Sequence, residues 1–207
     1  MNIAPEQLES SGFQLIEKLD HQQLVPFVRK YLGIRTMSSN LYYFFNLLVF
    51  GVAGYYLIAA WKTGSFTLED GLTHLAYGLA IAFLLLPLHE VIHGIAYKAQ
   101  GAEKVSYDAN WKKFYFLAIA DRFVASAREF RVVALAPFVV ITFTCLVLLW
   151  WASPEWKMTV WGVLLTHTAF CSGDFGLLSF FDHYRGTEVL TYDDRTNKLS
   201  FFYAKKK

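Results

Sequence analysis

Apolar residues in this chain are gathered into four long runs, roughly residues 41 to 61, 72 to 98, 132 to 151 and 157 to 181, separated by shorter polar connections. A helix needs about 20 apolar residues to cross a hydrocarbon core, and each run is long enough. The first run, LYYFFNLLVFGVAGYYLIAAW, and the third, VVALAPFVVITFTCLVLLWW, contain no Asp, Glu, Lys or Arg. The pattern predicts four transmembrane helices. Tyr42, Tyr43, Trp61, Trp150, Trp151, Trp156 and Trp161 fall at the predicted ends of these runs, where amphipathic rings favour the headgroup layer.

Between and around the runs the periodicity is shorter. Residues 6 to 33 read as two amphipathic helices, one with Leu15, Ile16 and Leu19 on a face and one with Leu24, Val25, Val28 and Leu32, stopped by Gly33. Residues 105 to 120, VSYDANWKKFYFLAIA, are strand formers around a polar turn and predict a hairpin. Residues 188 to 203 repeat that character, with EVLTY and KLSFFY flanking DDRTN. The expected fold is an all-α polytopic membrane protein with small cytoplasmic β-hairpins. It divides into an N-terminal helical segment over residues 1–40, a four-helix membrane domain over 41–181, and a C-terminal hairpin with a basic tail over 182–207.

Composition changes this picture in one respect, orientation. The chain is 55% apolar and only 17% charged, with a mean hydropathy of +0.32, whereas soluble domains carry about 25% charged residues. Disorder, a basic nucleic-acid-binding domain and a disulfide-stapled secreted module are excluded as readings. If the N-terminus is cytoplasmic, all of the 19 basic residues except Lys62 and Lys157 lie on the inside. The positive-inside rule therefore puts both termini in the cytoplasm, in an orientation suited to a bacterial cytoplasmic membrane. The basic residues are accounted for by topology and anionic lipid, with no nucleic-acid partner. The first apolar run follows 40 mostly polar residues, so no cleaved signal peptide is expected. Cys145 and Cys171 both fall within runs, and no disulfide is expected between them.

The charge that remains inside the runs carries the chemistry. Glu90 and Asp174 are the acids or bases lying deep within them. Ionisable groups at that depth are costly, and face a partner or a wet cavity. Glu90 belongs to His89-Glu90-Val91-Ile92-His93, the HExxH pattern of zinc metallopeptidases. On a helix the two histidines share a face one turn apart and can reach one tetrahedral ion, with Glu90 beside them to take a proton from a metal-bound water. A catalytic zinc normally has a third protein ligand. His89 lies about 25 Å along the second run at about 1.5 Å per residue, and Asp174 lies equally far along the fourth, which runs the same way. Asp174 is thus the expected third ligand. His167, two turns before Asp174, is either a group supporting the ligands or relaying a proton, or a core histidine bonded to a neighbouring helix. Cys171 reads better as a packed small residue than as a ligand. Pro87 interrupts the second run just before the motif and frees the Phe83 carbonyl. Pro137 either does the same beside the metal or is an ordinary membrane-helix kink.

HEVIHG in a membrane helix, LAPF in the next run and CSGD in the last resemble the bacterial membrane zincin peptidase family. That family is similar in arrangement to the site-2 protease group of intramembrane zinc metalloproteases. The resemblance covers roughly residues 72 to 181. It implies His89, His93 and Asp174 as zinc ligands, Glu90 as catalytic base, and strands after the catalytic helix that present substrate. One segment departs from it. Many site-2 proteases carry Asn and Pro eight and five residues before an Asp-Gly pair, whereas Thr166 and Ala169 hold those positions here and Phe175 follows Asp174.

The leading expectation is a zinc-dependent intramembrane endopeptidase cutting membrane-embedded protein or peptide substrates near the cytoplasmic face. A zinc-dependent membrane hydrolase of a lipid or small amide and a non-catalytic metal-binding scaffold stand as alternatives. Haem is disfavoured, because His89 and His93 on one helix face cannot ligate opposite sides of one iron.

Overall fold

The computed structural model describes residues 3–110 and 115–206. Its elements run β1 (Gln14–Asp20), α1 (Leu24–Leu32), α2 (Met37–Lys62), α3 (Leu68–Leu84), α4 (Leu86–Ala99), β2 (Val105–Asn110), β3 (Tyr115–Ala120), β4 (Ala125–Ser126), α5 (Ala127–Trp151), α6 (Pro154–Phe170), α7 (Ser172–His183), β5 (Thr187–Asp194) and β6 (Leu199–Lys206). Helix dominates, with two small antiparallel sheets ordered β1-β6-β5-β4 and β2-β3.

Two helices, α2 and α5, are each long and apolar enough to cross a membrane. The other two predicted runs are broken. α3 and α4 together pass the same test but are bent by 45°, as are α6 and α7 at 41°. Among the described residues there are thus two helices long and apolar enough to cross a membrane, or up to four spans if each bent pair is one, the make-up of an integral membrane protein. The first break has its cause in Pro87, the second residue of α4, which has no N–H to continue α3. α3 starts where Thr67 caps it, accepting from the Asp70 N–H at 3.1 Å, with Glu69 and Asp70 in the first turn to match the helix dipole.

The chain forms two compact units. One comprises Asn40–His89 and Pro137–Ser172. Here α3 and α6 meet backbone to backbone. A Cβ on Gly78 would lie 2.1 Å from the Thr159 carbonyl, and one on Gly162 would lie 2.5 Å from that of Leu75. Small residues permit such close approach between membrane helices, where apolar burial gives no drive of its own. His74 Nδ1 meets Thr159 Oγ1 at 3.0 Å across the same contact. Phe44, Leu47, Phe50 and Tyr55 on α2 and Phe143 and Leu146 on α5 are exposed. Only 11% of the apolar window of α2 is buried, which suits lipid and not water.

The other unit comprises Met1–Ser39, Glu90–Ala136 and Gly173–Lys207. Its core is aromatic. Phe180 is fully buried, with its ring 5.5 Å from Phe27, 5.0 Å from Tyr31 and 4.6 Å from Phe202. α7 approaches α1 closely enough that a Cβ on Gly176 would meet Val28 at 2.8 Å. Asp182 ties the segments together, accepting from the Ser38 N–H and hydroxyl at 2.8 and 2.6 Å and from Arg131 at 2.9 Å.

The sequence reading needs correction at the N-terminus. The first of the two expected helices is the strand β1, whose antiparallel partner β6 lies at the far end of the chain. A register irregularity between Leu15 and Glu17 disturbs its alternation, so Leu15, Ile16 and Leu19 mimic helical spacing. The second helix is α1 and ends at Gly33, as expected. Its buried stripe is Leu24, Phe27, Tyr31 and Leu32, while Val25 faces outward. Both hairpins form. The turn of the first, residues 111–114, lies outside the described residues. The second is widened by β1 and β4 into a four-stranded sheet.

Candidate metal centre

α4 carries the HExxH motif. His89 and His93 are buried and Glu90 is half-buried. Along this one helix their ligand atoms all lie within 4.8 Å of one another. The N–H of His89 is bonded to the Leu85 carbonyl at 2.9 Å, so the helical geometry is already established where the motif begins.

The orientation of His93 is set from α5. Its Nδ1 donates to the Val133 carbonyl oxygen at 2.9 Å. That carbonyl is available because residue 137, which would normally bond it, is a proline inside the helix. With Nδ1 carrying the proton, Nε2 is the nitrogen left for a ligand or a second proton. Nε2 faces Asp174 Oδ1 at 3.1 Å, with both side chains largely shielded. An imidazole lone pair and a carboxylate oxygen at this separation require a cation between them, either a proton or a metal. Neighbouring nitrogen and oxygen ligands of a tetrahedral zinc stand about 3.4 Å apart, so the observed spacing needs little adjustment. Asp174 is in the first turn of α7, where the helix dipole favours a carboxylate.

A second group of donors shares His89. His167, near the end of α6, has its ring centroid 5.5 Å from that of His89 in an edge-on arrangement. Cys171, at the break between α6 and α7, places Sγ 3.8 Å from His167 Nε2. All three side chains are buried. The break also removes the argument that His167 and Asp174 share one continuous helix face. His167 stands instead one turn from Cys171.

The donors present, imidazoles and carboxylate, fit a zinc ion in chemistry and in spacing. Glu90, His93 and Asp174 lie in one compact unit, with His89 adjoining on the same helix. Sequence reasoning missed two contributors. The Val133 carbonyl could have been found by counting four residues back from Pro137. Gly94, which closes HEVIHG, is required by packing, since a Cβ there would lie 2.2 Å from the Tyr107 hydroxyl of β2. Only the pairing of hairpin and helix in space reveals that contact.

Residues 82–183 match the family described as “Putative zincin peptidase”. The match bears out the resemblance read from HEVIHG, LAPF and CSGD. No curated protein and no solved structure matches the chain significantly.

Proposed function

We propose that the protein is a zinc-dependent intramembrane endopeptidase with four spans, its termini in the cytoplasm and its site toward the cytoplasmic face, acting on membrane-embedded protein or peptide substrates. The observation that carries this reading is the His93–Asp174 pair at 3.1 Å, with His93 held by the Val133 carbonyl in the tautomer a metal ligand needs. The match of residues 82–183 to a zincin peptidase family supports the peptidase chemistry.

His89, His93 and Asp174 would hold zinc. When bound, the ion would polarise the scissile carbonyl and acidify the attacking water. Glu90 would serve as the base that accepts the water's proton and as the acid that passes it to the leaving amine. Val133 keeps His93 from rotating out of place. A helical substrate hides its amides and must unwind to be cut. The β2–β3 hairpin, packed by Tyr107 against Gly94 on the catalytic helix, offers an edge on which an extended segment could add as a strand.

Metal analysis of the purified protein and two substitutions test this. Glu90→Gln is expected to retain zinc and lose cleavage of a co-expressed membrane substrate by at least about 100-fold, the scale of general-base catalysis. Asp174→Asn is expected to weaken zinc itself. Correctly folded wild type that contains no zinc ends the reading, and full activity in Glu90→Gln removes the assigned base.

A further inference from the structure

His89 also belongs to a second group, with His167 and Cys171, two residues that the hydrolytic mechanism does not use. Cys171 is 0% exposed, His167 3% and His89 6%. Their ligand atoms lie within 4.8 Å of one another, and Sγ of Cys171 is 3.8 Å from Nε2 of His167. The sulfur–nitrogen edge of a tetrahedral zinc site is about 3.6 Å, from bonds of about 2.3 and 2.0 Å. Two imidazoles and a thiol, all buried and with ligand atoms within 4.8 Å of one another, form the donor set of a soft or borderline ion, of which Zn2+, Cd2+ and Cu+ are the class.

The local fold favours the arrangement. Residues 167 and 171 are one helical turn apart at the C-terminus of α6, with the Cys171 N–H bonded to the His167 carbonyl at 3.1 Å. The bend after Cys171 turns the chain away immediately afterward. His89 approaches from the first turn of α4, edge-on to His167. All three residues belong to one compact unit, separate from the unit that holds His93 and Asp174.

We propose that His89, His167 and Cys171 constitute a second, thiolate-containing metal seat. It shares His89 with the hydrolytic set, so one ion occupies one seat or the other. Binding there forms a metal–sulfur bond and releases the thiol proton to solvent, with no change of oxidation state. The ion held by Cys171 is withdrawn from Glu90 and Asp174, making this a storage or resting position for the metal, open to ions softer than zinc.

The full chain, purified in detergent and stripped of metal, is titrated with Co2+, whose thiolate complexes show intense near-ultraviolet charge transfer that nitrogen and oxygen ligands lack. A variant carrying His93→Ala with Asp174→Asn is expected to keep one equivalent of Co2+ and to show this band at full strength. Cys171→Ser is expected to lose it, while Cys145→Ser keeps it. The preference for Cd2+ over Zn2+ should fall at least about tenfold in Cys171→Ser, as expected when a soft thiolate is exchanged for oxygen. If Cys171→Ser does not fold, zinc-edge X-ray absorption of the His93→Ala, Asp174→Asn variant decides, through a sulfur neighbour at about 2.3 Å. A band absent from both wild type and that variant, no sulfur neighbour, or a band surviving Cys171→Ser overturns the proposal. Loss of peptidase activity in Glu90→Gln bears only on the hydrolytic reading and leaves these spectra unchanged.

Discussion

Pro137 and His93 are coupled through one carbonyl, and that coupling can be broken at either end. Pro137→Ala restores an N–H four residues after Val133, which can then take the carbonyl that His93 Nδ1 now uses at 2.9 Å. Loss of the group orienting a metal-bound histidine typically costs about 10–100-fold in affinity. Pro137→Ala is therefore expected to weaken zinc by about tenfold or more in a chelator competition, with helicity unchanged. Unaltered affinity would show that Val133 does not orient the ring. A second residue-scale effect lies outside the spans. Burial pushes the Asp193 carboxyl up to about 6, although the Ser200 hydroxyl donates to it at 2.6 Å. The folded state thus holds a proton that the unfolded chain releases near pH 4, so this group costs stability as pH rises through about 4 to 6. Asp193→Asn keeps an acceptor for Ser200 and removes the charge. It should stabilise the fold at pH 7.5 by up to about 2–3 kcal/mol, at about 1.4 kcal/mol per unit, seen as a higher melting temperature, and make no difference at pH 4. Burial lowers the pKa of His21, whose Nε2 meets Ser200 Oγ at 3.1 Å, so its contribution runs the other way, lost as pH falls below the usual histidine range. Equal melting temperatures for Asp193→Asn and wild type at pH 7.5 would refute the assignment.

At the scale of elements, the contact between α3 and α6 depends on two glycines rather than on apolar bulk. The atoms a Gly78 side chain would strike are backbone, the Thr159 carbonyl and the Gly162 Cα, and these cannot rotate aside. Gly78→Ala is expected to force the helices apart and cost about 2 kcal/mol or more, in the range of overpacked cores. Gly54→Ala on α2, where nothing lies within 4 Å, serves as the neutral control. Unfolding in denaturing detergent measures both, and indistinguishable midpoints would contradict the packing argument. These elements were legible in the sequence to different degrees, for physical reasons. α2 and α5 were plain, because an uninterrupted apolar run has one solution in lipid. Pro87 announced its break, whereas Cys171 marks a break with no proline and was read through as continuous helix. β1 was hidden because its partner is at the opposite end of the chain and its bulge imitates helical spacing. The HExxH triad needed only one helix to be recognised. The Asp174 pairing followed from depth, but the His167–Cys171–His89 group depended on how α6 ends.

For the whole molecule, the decisive distribution is that of charge between the two compact units. The unit made of residues 40–89 and 137–172 contains Lys62 and Lys157 as its basic residues, and every other Lys and Arg belongs to the other unit. The two compact units divide the chain much as the positive-inside rule divides it. Exposed apolar positions such as Leu47, Phe50 and Phe143 sit in the Lys-poor unit. The Lys- and Arg-rich unit supplies instead a buried aromatic core and two hydrogen-bonded sheets, which need no bilayer. In the proposed topology the helix ends at Lys62 and Lys157 are translocated and the sheets lie in the cytoplasm, where Glu90, His93 and Asp174 would meet substrate from the inner leaflet. Single cysteines introduced at Lys62 and Lys157 should react with an impermeant maleimide in intact cells. Cysteines at Arg195 and Lys205 should react only after the membrane is opened. The reverse labelling pattern would invert the topology and move the site to the outer face. Labelling of Lys62→Cys without Lys157→Cys would mean that one bent pair turns back instead of crossing.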